Sequence, residues 1–260
     1  MWVDFLKDAE IKPHKTIYRL NTTCDDPEQF KNQTKEVCDI YLEPPALHKQ
    51  GVHVISNDEK TGIQAMERTH KTHPAQPGGV PERVEHNYDR HGALCLIANF
   101  EVATGKIIAP TIGPTRTEKD YLEHIKQTVE TDSDGKWIFI TDRLNTHKSE
   151  SSVKQIADQC NIDIALGVKG KSGILKSMET RQEFLSDSDH RIRFVYTPKH
   201  SSRLNRIEIW FSILSRRLLK RGSFTSLSHL QKRIEKFIEY FNTTAAKAFK
   251  WTYTGRPLTV

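Results

Sequence analysis

The chain has 260 residues, long enough to bury one large α/β core and short for two full domains. At 36% hydrophobic and 28% charged residues it lies well above the disordered range. No stretch approaches the roughly eighteen apolar residues of a membrane span, and the amino terminus lacks the apolar core of a signal peptide, so a cytoplasmic protein with no membrane partner is expected. The net charge of +6 is polarised: residues 191–260 hold 15 Lys and Arg against 3 Asp and Glu, while residues 1–190 hold 24 against 30. That division fits a phosphate-binding surface beside metal-binding carboxylates, or a plain solvated basic face. Cys24, Cys38, Cys95 and Cys160 are scattered without a C-x-x-C pair, which argues against a zinc ribbon or a disulfide framework.

Residues 1–50 read as short helices and loops that stop at Pro44-Pro45, an approach segment and not a complete domain. The first good strand is Val52 to Ser56 ("VHVIS"), which runs into Asn57-Asp58-Glu59 and leaves an acidic pair at a strand end. Residues 69–91, rich in His, Pro and Gly, form a loop, and "GALCLIANFEVATGKIIAP" reads as a hairpin turning at Thr104-Gly105. A helix is predicted from about Thr117 to Val129, followed by the apolar strand 137–141, which ends at Asp142. A helix over 149–159, a strand over 162–166, a helix over 177–185 and a strand over 192–196 continue the alternation to the break at Pro198.

After Ser201-Ser202, a plausible cap, a helix is predicted to run to Gly222 with Leu204, Ile207, Phe211, Leu214 and Leu218 as its apolar stripe. Glu208 lies beside that stripe on a polar line with Asn205 and Ser212, so Asn205 and Glu208 can face one site. The last helix, about 226–242, repeats the pattern with Leu227, Leu230, Ile234, Phe237 and Phe241.

Two acids at strand ends and one on a helix suit hard divalent cations, which take oxygen ligands. Two such ions about 3.5–4 Å apart can activate an oxygen nucleophile, stabilise a leaving oxygen and neutralise a phosphate. Taken singly, an Asp after a strand is more often a turn or cap residue. His70, His73, His86 and His91 cluster in sequence, but no Cys or carboxylate falls at ligand spacing, so zinc is not expected there. The segment "ALGVKGKS", 165–172, imitates a phosphate-binding loop, yet Ala165 replaces the first Gly and Gly173 interrupts the helix that should follow.

The segments "VISNDEKTGIQAMER", "GALCLIANFEVATGKIIAPTIGPTRTEKDY", "ITDRLNTHKS" and "YTPKHSSRLNRIEIWFSILSRRLLKRGSF", closed by "KWTYTGRPL", resemble the DDE transposases of bacterial insertion sequences in the mariner superfamily. The resemblance covers nearly the whole chain. It implies an α/β, RNase H-like fold with a mixed central sheet flanked by helices, residues 51–260 forming the catalytic domain and residues 1–50 the tail of an amino-terminal DNA-binding region. It also implies two Mg2+ or Mn2+ ions on Asp58, Asp142 and Glu208, beside which Asn205 is a supporting candidate. His147 matches a family position five residues after Asp142, and its role stays open between orienting a carboxylate or phosphate and an ordinary loop histidine.

The partners it implies are double-stranded DNA, as element ends and target, and a second copy of the chain holding the other end, in a nucleoid-associated protein. Water would attack at the element end, and the freed 3′-hydroxyl would attack target DNA at a TA dinucleotide. Lys199, Arg203, Arg206, Arg216, Arg217 and Arg221 are candidates for gripping phosphates, although the last three could equally complement a helix C-terminus. The chain departs from the family pattern at Arg143, where Asn is usual, and at Arg203, where Trp is usual. Those departures leave open a catalytically impaired remnant that only binds DNA; a general RNase H-like nuclease is a third reading.

Overall fold

The computed structural model describes residues 26–71, 73–83, 85–199, 201, 204–248 and 251–252. Two helices come first, α1 (Pro27–Leu42) and α2 (Pro44–Lys49). The Asp26 side chain caps α1 by accepting from the amides of Glu28 and Gln29, satisfying two of the donors a first turn leaves without partners. Val37, Cys38 and Tyr41 of α1 are fully buried in the same core as the central sheet.

That sheet has five strands: β1 (Val52–Arg68), β2 (Tyr88–Glu101), β3 (Ile107–Gly113), β4 (Lys136–Thr141) and β5 (Ile192–Tyr196). Their spatial order is β3-β2-β1-β4-β5. The β1–β2 and β2–β3 pairs are antiparallel, while β1–β4 and β4–β5 are parallel. Buried on both faces, β4 reads from Trp137 to Ile140 as an unbroken apolar run, as expected of a central parallel strand.

Side chains of successive strand residues point to opposite faces, so Val54 enters one core and its neighbour Ile55 the other. The first core is covered by α1, α6 (Ile207–Leu214) and α7 (Leu227–Thr244), with Trp210, Ile234 and Phe241 packed on the sheet. The second is covered by α3 (Glu118–Val129), α4 (Glu150–Gln159) and α5 (Met178–Leu185), around Trp137, Phe139 and Phe194. The result is a three-layer α/β/α arrangement. Among the described residues, no helix is long and apolar enough to cross a membrane.

The hairpin between β2 and β3 turns where the sequence puts it. Gly105 sits there at φ +72°, and a Cβ on it would lie 2.0 Å from the Lys247 carbonyl oxygen, so only glycine fits. Three expectations need correction. First, β1 does not stop at Ser56 but continues to Arg68, because its antiparallel pairing with β2 outlasts its parallel pairing with β4.

Second, residues 162–166 form no strand; Ile162 and Leu166 pack against the second core while Ile164 is exposed. Both neighbours of β4 are already taken by β1 and β5, which leaves that segment no place beside it. Third, the helix predicted from Ser201-Ser202 begins only at Ile207 and loosens into a π turn at Ser215–Leu219, so Asn205 lies ahead of it and not on it. The amide of Ile207 is capped by the Ser56 hydroxyl of β1, 3.0 Å away, a partner remote in sequence.

Candidate active site

The parallel ladder between β1 and β4 ends at the pair Ser56–Ile140. Asp58 and Asp142 each lie two residues beyond that pair, so they leave adjacent strands at the same level and on the same face. The period of two, not chance, puts both carboxylates at the mouth of one cleft, which Glu208 in the first turn of α6 also lines. Asp58 and Asp142 are half-buried and Glu208 is exposed.

Asn205 joins helix to sheet. It is 2% exposed, and its Nδ2 donates to the Asn57 carbonyl at 3.0 Å and to Asp58 Oδ2 at 3.2 Å, while its Oδ1 accepts from the Ser56 hydroxyl. One side chain thus aims Asp58 and fixes the start of the segment that carries Glu208. The backbone amide of Glu59 donates to the other Asp58 oxygen at 2.8 Å.

His147 does the corresponding work for Asp142. The sequence left its role open; the structure buries its ring completely, stacked on Tyr121 with centroids 4.2 Å apart. Its Nδ1 lies 3.1 Å from Asp142 Oδ1, and its Nε2 lies 3.1 Å from Glu59 Oε1, a carboxylate that is itself buried. Burial opposes a charge on the ring, but the bonds to the two acids outweigh it and push the His147 pKa up to about 9.

For Asp142, burial likewise opposes charge and is outweighed by His147 and the Leu144 amide, which hold the carboxyl below its usual range. Asp58 behaves in the opposite sense. Burial, reinforced by the negative charges of Asp142, Glu59 and Glu208, raises it to about 7 against the pull of the Glu59 amide.

Glu59 escaped the sequence reading because it was paired with Asp58 as one acidic end. Had the strand been extended, alternation would have put it on the opposite face from Asp58, toward α3 and His147. Arg116 was also missed; it lines the cleft from the loop before α3.

The basic candidates separate by position. Lys199 lines the cleft, and Arg216 lines a groove next to it with Lys60 and Glu208. Arg217, within the π turn, and Arg221, just beyond it, are exposed. The Arg206 guanidinium stacks 3.7 Å from the Trp251 ring centre and does not line the cleft. Arg143 turns its Nε to the Thr197 carbonyl at 3.2 Å, while Asp142 pairs with His147. Arg203, residues 1–25 and the end of the closing motif beyond residue 252 lie outside the described residues.

A model of the DDE superfamily endonuclease family matches residues 53–231, more than half of the chain and all of the sheet but its first residue. The chain belongs to that family. Among solved structures it is similar to the chain in a pre-cleavage Mos1 transpososome, with a TM-score of 0.54 and 13% identity, covering 91% of this chain and 62% of that one. It is similar too to the Mos1 mariner paired end complex with Mn, with a TM-score of 0.52 and 14% identity, covering 96% of this chain and 64% of the other. The chain therefore spans a little under two thirds of the length of each. No curated protein matches it by sequence. The fold is the one expected, an RNase H-like α/β domain with a mixed central sheet flanked by helices.

Proposed function

We propose that this DDE endonuclease is a transposase catalytic domain that cuts DNA at the ends of a mobile element and joins them to target DNA, with Asp58, Asp142 and Glu208 at its centre. The observation that carries the reading is the in-register departure of Asp58 and Asp142 from β1 and β4 into a cleft that Glu208 also lines. The donor set fits divalent cations: all three offer hard oxygen ligands, and burial, reinforced by the acids around it, raises the Asp58 pKa, a cost of holding negative charge that a cation relieves. Two ions, Mg2+ or Mn2+, held by the three carboxylates would supply an activated oxygen nucleophile and neutralise the phosphate.

The protein's own groups then have distinct tasks. Asn205 orients Asp58, and His147 orients Asp142 against the buried Glu59. Lys199, Arg116 and Arg143 on the cleft wall, with Arg216, Arg217 and Arg221 outside it and Arg203 in the adjoining segment, offer charges for the DNA backbone. Residues 51–260 would form the catalytic domain together with α1, whose buried face belongs to its core, and the residues ahead of α1 would be the tail of an amino-terminal DNA-binding region, with a second copy holding the other element end. An element of the bacterial insertion-sequence type and a nucleoid-associated, cytoplasmic location complete the proposal.

The test is strand transfer by the full chain on precut element ends with Mg2+ or Mn2+. Asp142→Asn is expected to abolish the covalent product while DNA binding persists; product formation undiminished in that variant would sink the assignment. A chain that binds DNA in a salt-sensitive way but yields no covalent product with either ion is the non-catalytic remnant.

A further inference from the structure

A second cluster of metal-ligating side chains lies at the other end of β1. His53 stands at the start of the strand, five residues and about 17 Å of extended chain before Asp58. Glu101, at the end of the antiparallel β2, comes alongside it, and His48 reaches over from the last turn of α2. His48, His53 and Glu101 each offer a ligand atom, and the three atoms lie within 4.8 Å of one another, the one such group among the described residues.

We propose that His48, His53 and Glu101 form a binding site for a transition-metal ion of the zinc class, separate from the acidic cleft. Two imidazoles and a carboxylate suit zinc and its neighbours in the first row, whereas magnesium prefers an all-oxygen site. Tetrahedral ligands about 2.0–2.1 Å from zinc stand about 3.3 Å from one another. The separations from Glu101 Oε1, 2.7 Å to His53 Nδ1 and 3.6 Å to His48 Nδ1, bracket that spacing.

Two further observations favour an ion over a closed knot of hydrogen bonds. His48 Nδ1 is buried without a hydrogen-bond partner, and a ring nitrogen left so is costly unless something fills the space before it. The ligands are also already held from behind. His53 Nε2 lies 3.0 Å from Asp132 Oδ2, the carboxylate–histidine arrangement that fixes a metal-bound imidazole with its other nitrogen toward the ion, and the Thr104 hydroxyl donates to Glu101 Oε2. The flat ring of Trp137, stacked 4.2 Å from His53, closes one side. An ion there would tie α2, on the amino-terminal flank, to the first two strands of the sheet.

Titration of the metal-free full chain with Co2+ as a spectroscopic stand-in for Zn2+, followed by competition with Zn2+, tests the proposal. One equivalent is expected to give the intense visible absorption of a low-coordinate, nitrogen-ligated ion and to be displaced by Zn2+ but not by excess Mg2+. The half-exposed His48 can be replaced without opening the core, and His48→Ala is expected to weaken binding at least tenfold, with Asp132→Asn weakening it by about tenfold to a hundredfold. The triple variant D58N/D142N/E208Q should keep both the spectrum and the affinity. Loss of the spectrum in that triple variant, or an unchanged affinity and spectrum in His48→Ala, would overturn the assignment. Neither outcome bears on whether the acidic cleft cuts DNA, which the strand-transfer assay reads independently.

Discussion

His53 and Asp58 are five residues apart on β1, and the acids gathered around them meet opposite treatment. At the His53 end, Glu101 is 4% exposed yet sits below its usual carboxyl range, because bonds from His53 and Thr104 outweigh the cost of burial. At the Asp58 end, burial and three neighbouring acids drive the carboxyl up to about 7. The first end carries its own counter-charge. The second has a deficit of positive charge that the His147 ring, facing Asp142 and Glu59, offsets in part, with Arg116 adding to it near Asp142. A protein that tolerates such an imbalance at the mouth of a cleft, while neutralising acids elsewhere, leaves that mouth prepared for cations.

The sharpest way to break the comparison is Asp58→Asn. Removing this oxygen donor is expected to lower metal-dependent product by at least about a thousandfold, or roughly 4 kcal/mol of barrier. The same substitution should stabilise the metal-free protein. Because the folded-state pKa of Asp58 is raised from 3.8 to about 7, the folded chain holds the proton more tightly than the unfolded one. Its favourable contribution is whole below about pH 4 and is lost as pH rises through 7. Urea unfolding at pH 8 without metal should therefore find the variant more stable than the parent by about 2 kcal/mol or more, and that gain should vanish at pH 4. Equal stability of the two proteins at pH 8 would mean that neither burial nor the neighbouring acids penalise the charged form of Asp58.

His147 is the single cation between two acids, and replacing it removes the offset. His147→Leu should leave the buried Glu59 carboxylate unpaired and cost about 3–5 kcal/mol at pH 7. The double variant with Glu59→Gln should recover much of that loss, since the stranded charge goes with it. In the parent, the folded-state pKa of about 9 lies above the unfolded value of 6.5, so this stabilisation is complete below about pH 6.5 and disappears as pH rises through 9.

His124 supplies the contrast on the same side of the sheet. It is fully buried but faces no acid: its Nδ1 meets the Thr111 hydroxyl at 2.8 Å, and its Nε2 accepts from the Asn57 amide at 3.3 Å. Burial alone depresses it to about 3. Here the sign reverses: the stability it contributes is whole above pH 6.5 and falls as pH drops from 6.5 toward 3, because the unfolded chain takes up the proton first. At pH 5 the cost should be about 2 kcal/mol, and His124→Gln should flatten that acid limb in urea titrations run from pH 7 to pH 4. An acid limb unchanged in the variant would place the titration elsewhere.

How much of this was legible in the sequence depended on whether the cause was local. Asp142 closes a short apolar strand, and the parallel-paired part of β1, Val52 to Ser56, coincides with the strand that period and composition predict. The remainder of β1 is polar on one side because β2 alone pairs with it, so its strand signal is weak. The start of α6 was misplaced for a related reason: its cap comes from Ser56, some 150 residues earlier, and Asn205 is held by Asn57 and Asp58 instead of by helix bonds. Sequence spacing could not reveal the His48, His53 and Glu101 group either, since β2 returns antiparallel beside β1 and brings Glu101 back to the strand's beginning. The histidines that spacing did suggest do not converge: His70 meets Glu85 on the exposed excursion between β1 and β2, while His91, already in β2, meets Glu67 of β1.

The smallest effect concerns the basic residues, which sequence treated as one set and the fold divides. Arg216 is exposed beside Glu208 and Lys60, where a phosphate can reach it, whereas Arg206 lies half-buried over the Trp251 and Tyr41 rings, 3.7 and 5.8 Å from their centres. Each phosphate contact adds about 0.9 to the slope of log affinity against log salt. Arg216→Ala should therefore weaken DNA binding several-fold and reduce that slope by about one. Arg206→Ala should leave the slope unchanged and instead cost about 1–2 kcal/mol of folding stability through the lost cation–π stacking. A salt titration of DNA binding, paired with thermal unfolding of the same two variants, reads both effects. If Arg206→Ala lowers the slope as Arg216→Ala does, its guanidinium leaves the aromatic pair when DNA binds, and the division between packing and gripping arginines drawn from the free protein does not hold in the complex.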